Sequence, residues 1–151
     1  MIDELEYIVT SDEVRIGNYF AIVGEKEGVD VVHMVIDFNN DLSKISVASD
    51  CCGGSTHYAQ GSVTLRELSI SEKWLIGFGF KEIRRRSISR FRLYFEQLNS
   101  DLIYKTRNLT ITQNLQDVWL DGKFLCKIDY VHQLQNLYFV LSRKDLKHAN
   151  Q

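Results

Sequence analysis

Placed at 100° per residue, Tyr130, Val131, Leu134, Leu137, Tyr138 and Leu141 fall on one broad apolar stripe, with His132, Gln135 and Asn136 opposite. This spacing predicts a helix over 130–141. Asp129 stands where an N-cap carboxylate would accept from the free amides of the first turn. Phe139 breaks the pattern: it lies on the polar side, at helical spacing from His132, Gln135 and Asn136. Two readings follow. Either the helix is covered on both sides and Phe139 lies under a loop or the C-terminal tail, or His132, Gln135, Asn136 and Phe139 form a partner-binding patch, since aromatics ringed by amides often anchor interfaces.

Elsewhere the period is two. Residues 13–23 and 29–37 are β-rich runs separated by a turn at 24–28, with further strands expected at 44–49 and 62–68 and a loop over 50–61. Ser71 caps a short helix over 72–78 that Gly79 ends, with Trp74, Leu75 and Phe78 on its apolar side. Beyond it, Phe91, Leu93 and Phe95 alternate with Arg90, Arg92 and Tyr94, so that 88–96 reads as a strand following a hairpin turn at 85–87. Strands are also expected at 102–105 and 109–112. Asp121-Gly122 is a strong hairpin signal. A two-residue loop there sets Trp119 opposite Phe124, with Cys126 and Ile128 expected on the same face and the last helix over this sheet. The predicted fold is α+β: a small SH3-like barrel or curled antiparallel sheet, a short central helix, and a second antiparallel sheet covered by the C-terminal helix. It is read as one domain, 1–151, with a β-rich lobe at 13–68 and an α+β lobe at 69–146.

Composition narrows the class. Apolar residues make up 44% and charged residues 25%, which is ordinary for a globular protein. No apolar run approaches the ~20 residues that span a bilayer, so no membrane association is expected. The opening Met1-Ile2-Asp3-Glu4-Leu5-Glu6 is acidic and lacks the basic stretch of a secretory signal. Three cysteines, two of them adjacent at Cys51 and Cys52, do not make a disulfide framework. Cytoplasmic residence is the expectation. The chain contains no proline, so its turns rest on Gly, Asn, Asp and Ser.

Charge is distributed unevenly. Residues 1–30 carry eight acids against Arg15 and Lys26, a balance of −6; with a net charge of −2, the remainder carries +4. The basic excess concentrates at 81–92, where Lys81, Arg84, Arg85, Arg86, Arg90 and Arg92 meet only Glu82. Arg84, Arg85 and Arg86 at a hairpin tip, with Arg90 and Arg92 beside Tyr94 on a strand face, suit phosphate binding and base stacking. The plainer reading is a solvated face paired with acids on neighbouring strands. The segment Cys51-Cys52-Gly53-Gly54-Ser55-Thr56-His57 has metal-ligand residue types, but closing a tetrahedral site needs more ligands than it supplies. Its glycines lack the spacing of a phosphate loop. Nothing in the spacing joins a thiol to His33, His57 or His132 as a nucleophilic pair. No catalytic, cofactor or metal site is predicted.

Three segments share their wording with a family of small bacterial proteins found on phage and other mobile elements. Val14-Arg15-Ile16-Gly17-Asn18-Tyr19 resembles its opening strand, "RIGNYV". Residues 68–80, Leu-Ser-Ile-Ser-Glu-Lys-Trp-Leu-Ile-Gly-Phe-Gly-Phe, resemble its central helix, "IPLTEEWLLKLGF". Tyr130-Val131-His132-Gln133-Leu134-Gln135-Asn136-Leu137-Tyr138-Phe139 resembles its C-terminal signature. Order and spacing cover 14–146. The chain departs in having Ser69 where the family has Pro, and in an insertion-like segment at 37–58. The resemblance implies a fold and a genomic setting, and carries no site. The chain is therefore read as a non-enzymatic accessory protein of a phage or mobile element that engages a protein partner. A nucleic-acid-binding module using 81–92 is the second reading, and an enzyme with a site assembled from dispersed residues the third.

Overall fold

The computed structural model describes residues 15–23, 32–38, 44–49, 55–59, 64–98 and 101–149. The chain divides into two units, Met1–Leu68 and Ser69–Gln151, and is α+β with two five-stranded antiparallel sheets.

The first unit opens on a turn. Asn18 N donates to Arg15 O at 3.0 Å, and Asn18 Oδ1 accepts from Arg15 N. Gly17 occupies the third position of that turn at φ 95°, a conformation that a side chain disfavours. The expected strand over 13–23 is therefore shorter, β1 Tyr19–Val23, with the described residues before it spent on the turn. The other strands are β2 Val32–Phe38, β3 Lys44–Ser49, β4 Ser55–Ala59 and β5 Thr64–Arg66. Their order is β4-β3-β2-β1-β5, with β5 returning to pair with β1. Among the described residues β4 and β5 are the two edges and do not pair, so the sheet is open and does not close as a barrel. β4 lies within the expected loop at 50–61, placing His57 opposite Ser46. The turn at 24–28 and the pair Cys51–Cys52 lie outside the described residues.

In the second unit, α1 spans Glu72–Gly77, with Ser71 Oγ accepting from Trp74 N at 3.4 Å. It ends in a Schellman arrangement. Gly79, at φ 96°, donates to Ile76 O at 3.0 Å, and Phe80 donates to Leu75 O at 3.0 Å. Leu75 and Phe80 are both buried, which supplies the apolar contact that accompanies this cap. The C-terminal tail returns over α1. Ala149 N donates to Gly77 O at 2.8 Å, and the His148 ring packs edge-on to Trp74 and Phe78, with centroids 5.1 and 5.9 Å away.

The sheet of this unit runs β10-β9-β8-β7-β6. Its strands are β6 Lys81–Arg85, β7 Ile88–Leu98, β8 Tyr104–Ile111, β9 Asp117–Leu120 and β10 Lys123–Lys127. The two strands expected at 102–105 and 109–112 are one continuous β8. Its polar middle is held in place: Arg107 Nε bonds Asp121, Arg107 Nη1 bonds Gln97 Oε1, and Asn108 N donates to Asp121 Oδ1 at 2.9 Å.

The closing helix, α2 Val131–Ser142, packs on β7, where Tyr138 meets Phe95 edge-on at 5.6 Å and Gln97 Nε2 donates to Leu141 O at 2.9 Å. Its N-cap is Tyr130, one residue later than expected. The Asp129 carboxylate accepts instead from Gln116 Nε2 at 2.9 Å, and Gln133 Oε1 takes the amides of Asp129 and Tyr130 at 2.8 and 3.1 Å. The helix ends at Arg143, left-handed at φ 60°, whose amide donates to Phe139 O at 2.8 Å. Phe91, Phe95, Leu109, Ile111, Val118 and Leu134 are all buried. No helix among the described residues is long and apolar enough to cross a membrane.

Candidate functional site on the outer face of the second sheet

Register determines which side chains share a face, because directly opposed residues point the same way. Lys81 pairs with Arg92, Arg92 with Thr110, Thr110 with Trp119, and Trp119 with Phe124. These five residues form one row across all five strands, on the face opposite Phe91, Phe95, Leu109 and Ile111. At ~4.8 Å between strands the row is roughly 19 Å long. It runs from two cations at one end to two aromatic rings at the other, and Trp119 and Phe124 stand edge to face at 5.7 Å.

Neighbouring positions extend the same chemistry. Arg90 opposes Ile83, and Arg85 opposes Ile88, on the same face. Tyr94 is 60% exposed; its hydroxyl accepts from Arg92 Nη1 at 3.2 Å, and the guanidinium carbon sits 5.9 Å from its ring centre. Among the described residues, Lys81, Arg85, Arg86, Arg90 and Arg92 have no carboxylate partner, whereas Arg84 is paired with Glu82.

Between these residues lies a hollow lined by Arg90, Arg92, Asn108, Thr110, Thr112, Trp119 and Gly122, none of them acidic. Arg92 Nε and Trp119 Nε1 are shielded from solvent and have no acceptor among the described residues. The hydroxyl protons of Thr110 and Thr112 already go to Asn108 Oδ1 at 3.0 Å and Asn114 Oδ1 at 2.6 Å. Of the side chains that line the hollow, Arg92 and Trp119 thus each carry one shielded donor without an acceptor among the described residues. Such donors are costly to hide unless something binds them.

The structure divides the predicted arginine cluster. Arg85, Arg90 and Arg92 share the outer face with Tyr94. Arg84 faces the other way, with Nη2 on Glu82 Oε1 at 3.2 Å and Nε on Ser89 Oγ at 3.4 Å. The turn is two residues long, Arg86 and Ser87, both left-handed at φ 48° and 68°. That length sets Arg84 opposite Ser89 and turns it from its neighbours. The alternation of 90, 92 and 94 is legible in the sequence. The arrival of Trp119 beside them is not, since it depends on the register of three strands.

The helix residues separate as well. His132 is 1% exposed and Gln135 2% exposed, and Gln135 Nε2 donates to Leu146 O at 3.2 Å. Asn136 and Phe139 are half-buried. The four do not come together as an open patch, because the tail that follows α2 lies over its polar side.

Cys126 also departs from expectation. A bulge at Leu125 shifts the register, so that Phe124 opposes Trp119 but Cys126 opposes Val118. Cys126 and the buried Ile128 therefore lie away from the Trp119 face. Burial pushes the half-buried Cys126 thiol above its ordinary pKa, which disfavours a nucleophilic thiolate. No group of three or more His, Cys, Asp or Glu residues suited to a metal ion occurs among the described residues. No protein-family model matches this chain, and no curated protein or solved structure matches it.

Proposed function

We propose that this chain is a non-enzymatic binding protein that holds single-stranded nucleic acid on the outer face of its second sheet. The observation that carries the reading is the set of cations Lys81, Arg85, Arg90 and Arg92. They have no acidic partner among the described residues, and they share one sheet face with the rings of Tyr94, Trp119 and Phe124, Arg92 lying beside Tyr94. Cations along a backbone path beside rings that stack on bases are the two components of sequence-tolerant single-strand binding. A net charge of −2 does not oppose it, because the acids gather in residues 1–30 and the cations in 81–92. The wording shared with phage and mobile-element proteins sets such a module among their accessory functions. A protein partner engaged through His132, Gln135, Asn136 and Phe139 is the less favoured reading, since His132 and Gln135 are buried.

The test is fluorescence anisotropy with labelled single-stranded DNA and RNA oligomers over a range of salt. Affinity is expected to fall steeply with salt, and Arg90→Ala or Arg92→Ala should lower both the affinity and the salt slope, the latter by roughly 0.7 for each phosphate no longer neutralised. Arg84→Ala, on the other face, serves as the internal control and should change little. No binding at low salt, or an Arg84→Ala loss equal to that of Arg92→Ala, would overturn the reading. A protein captured through the same face, with oligomers failing to compete, would replace it.

A further inference from the structure

The hollow between Arg90, Arg92 and Trp119 has more structure than general strand binding requires. A sequence-tolerant surface needs exposed cations and exposed rings. Here two donors, Arg92 Nε and Trp119 Nε1, are withdrawn from solvent and left without acceptors among the described residues. Arg90 contributes a guanidinium with no ion pair among those residues. The neighbouring threonine hydroxyls are already committed to asparagine oxygens. The complement of such a hollow is a compact group with many acceptors and negative charge, carrying a planar part toward Trp119. An arginine fork grips two phosphate oxygens at once, and an indole face takes a base.

We propose that this hollow is a subsite for one nucleotide unit, with its phosphate on Arg90 and Arg92 and its base against Trp119. The proposal rests on the nucleic-acid reading above and sharpens it. One unit of the strand is held at a defined place, and the smallest ligand is a single nucleoside monophosphate. Thr110 sets the spacing, because it stands between Arg92 and Trp119 in the transverse row and keeps the phosphate grip two strands, about 10 Å, from the ring. The Tyr94 hydroxyl, which accepts from Arg92 Nη1 at 3.2 Å, braces the guanidinium.

The experiment is calorimetric titration of the full chain with thymidine 5′-monophosphate, thymidine and inorganic phosphate, alongside displacement of a labelled oligothymidylate. The monophosphate is expected to bind and to displace the oligomer, with thymidine and inorganic phosphate each at least tenfold weaker. Arg92→Lys keeps the charge but loses the fork, and Arg90→Ala removes an exposed side chain that the fold does not need. Each should weaken the monophosphate about tenfold or more, while the melting temperature stays unchanged. Trp119→Leu should abolish the advantage of the monophosphate over inorganic phosphate. If inorganic phosphate binds as tightly as the monophosphate, the base subsite is wrong. If the oligomer binds but millimolar monophosphate does not displace it, the proposal falls while general strand binding stands. If neither oligomer nor monophosphate binds at low salt, both fall together.

Discussion

Lys81 and Arg92 stand directly opposite each other on neighbouring strands, two cations in one cross-strand pair with no carboxylate partner among the described residues. Like charges so placed oppose the sheet they sit on. Lys81→Gln is therefore expected to raise stability by up to about 0.5 kcal/mol at low salt, a gain that fades by ~0.5 M salt as the repulsion is screened. Urea denaturation at two ionic strengths measures this. The same variant should bind oligonucleotide more weakly, separating a residue kept for binding from one kept for folding.

The hairpin carrying these cations turns at Arg86 and Ser87, both left-handed and neither glycine. Each such residue costs on the order of 1 kcal/mol relative to glycine. Ser87→Gly should stabilise the protein by up to about 1 kcal/mol in a thermal melt and leave oligonucleotide affinity unchanged. A loss of stability would mean that the serine side chain supports the turn.

Asp121 begins the opposite hairpin turn. The Asn108 amide that it accepts, and then the Arg107 guanidinium, hold its carboxyl below its ordinary value of 3.8, with partial desolvation opposing them. A carboxylate depressed in the folded state adds stability that is fully present above its unfolded pKa and is lost as pH falls through the folded one. Stability measured from pH 6 down to 2 should therefore decline less steeply in Asp121→Asn than in the parent. Asn-Gly is equally suited to this turn, so the hairpin itself is preserved. Parallel pH profiles for the two proteins would count against the assignment.

At the start of the last helix, Gln133 takes two backbone amides with one oxygen, while Asp129 is occupied by Gln116. Gln133→Ala should cost about 1–2 kcal/mol in chemical denaturation. Asp129→Asn, whose side-chain oxygen can still accept from Gln116, should cost far less. The reverse order would restore Asp129 as the helix cap.

Gly77 leaves room for the returning tail. A Cβ there would meet His148 Nε2 at 1.7 Å, so Gly77→Ala must move the imidazole off Trp74 and Phe78. The expected cost is about 1–2 kcal/mol, with Trp74 emission shifted to the red. In the Gly77→Ala background, His148→Ala should add almost nothing, because both changes undo the same ring packing.

Much of this architecture is readable from periodicity, and the failures have specific causes. The helix cap at Ser71 and the turn at Asp121-Gly122 are local chemistry, and local chemistry is legible. Strand β4, Ser-Thr-His-Tyr-Ala beside two glycines, lacks the apolar alternation that marks a half-buried strand, so it reads as loop. Strand β8 reads as two pieces because Arg107 and Asn108 interrupt its pattern; they are tolerated through Asp121 and Gln97, partners that are distant in sequence. The polar side of α2 reads as open surface because nothing in its spacing announces that Leu146 will lie over Gln135. For the candidate site, Arg90, Arg92 and Tyr94 declare a common face, but the turn length that removes Arg84 and the cross-strand register that brings Trp119 emerge only when the sheet is assembled.

The extra residue at Leu125 makes β10 change sides partway along. Before it, the strand offers Phe124 to the outer face; after it, Cys126, and Ile128 just past the strand, lie on the opposite side. One odd-numbered insertion thus lets five residues serve two surfaces that an unbroken strand would serve in strict alternation. The placement of Phe124 beside Trp119 is in that sense a matter of counting. Deleting Leu125 would keep Phe124 opposite Trp119 and Cys126 opposite Val118, because the ladder skips this residue, whereas a deletion at any paired position between them and the turn would put the ring or the thiol on the wrong side.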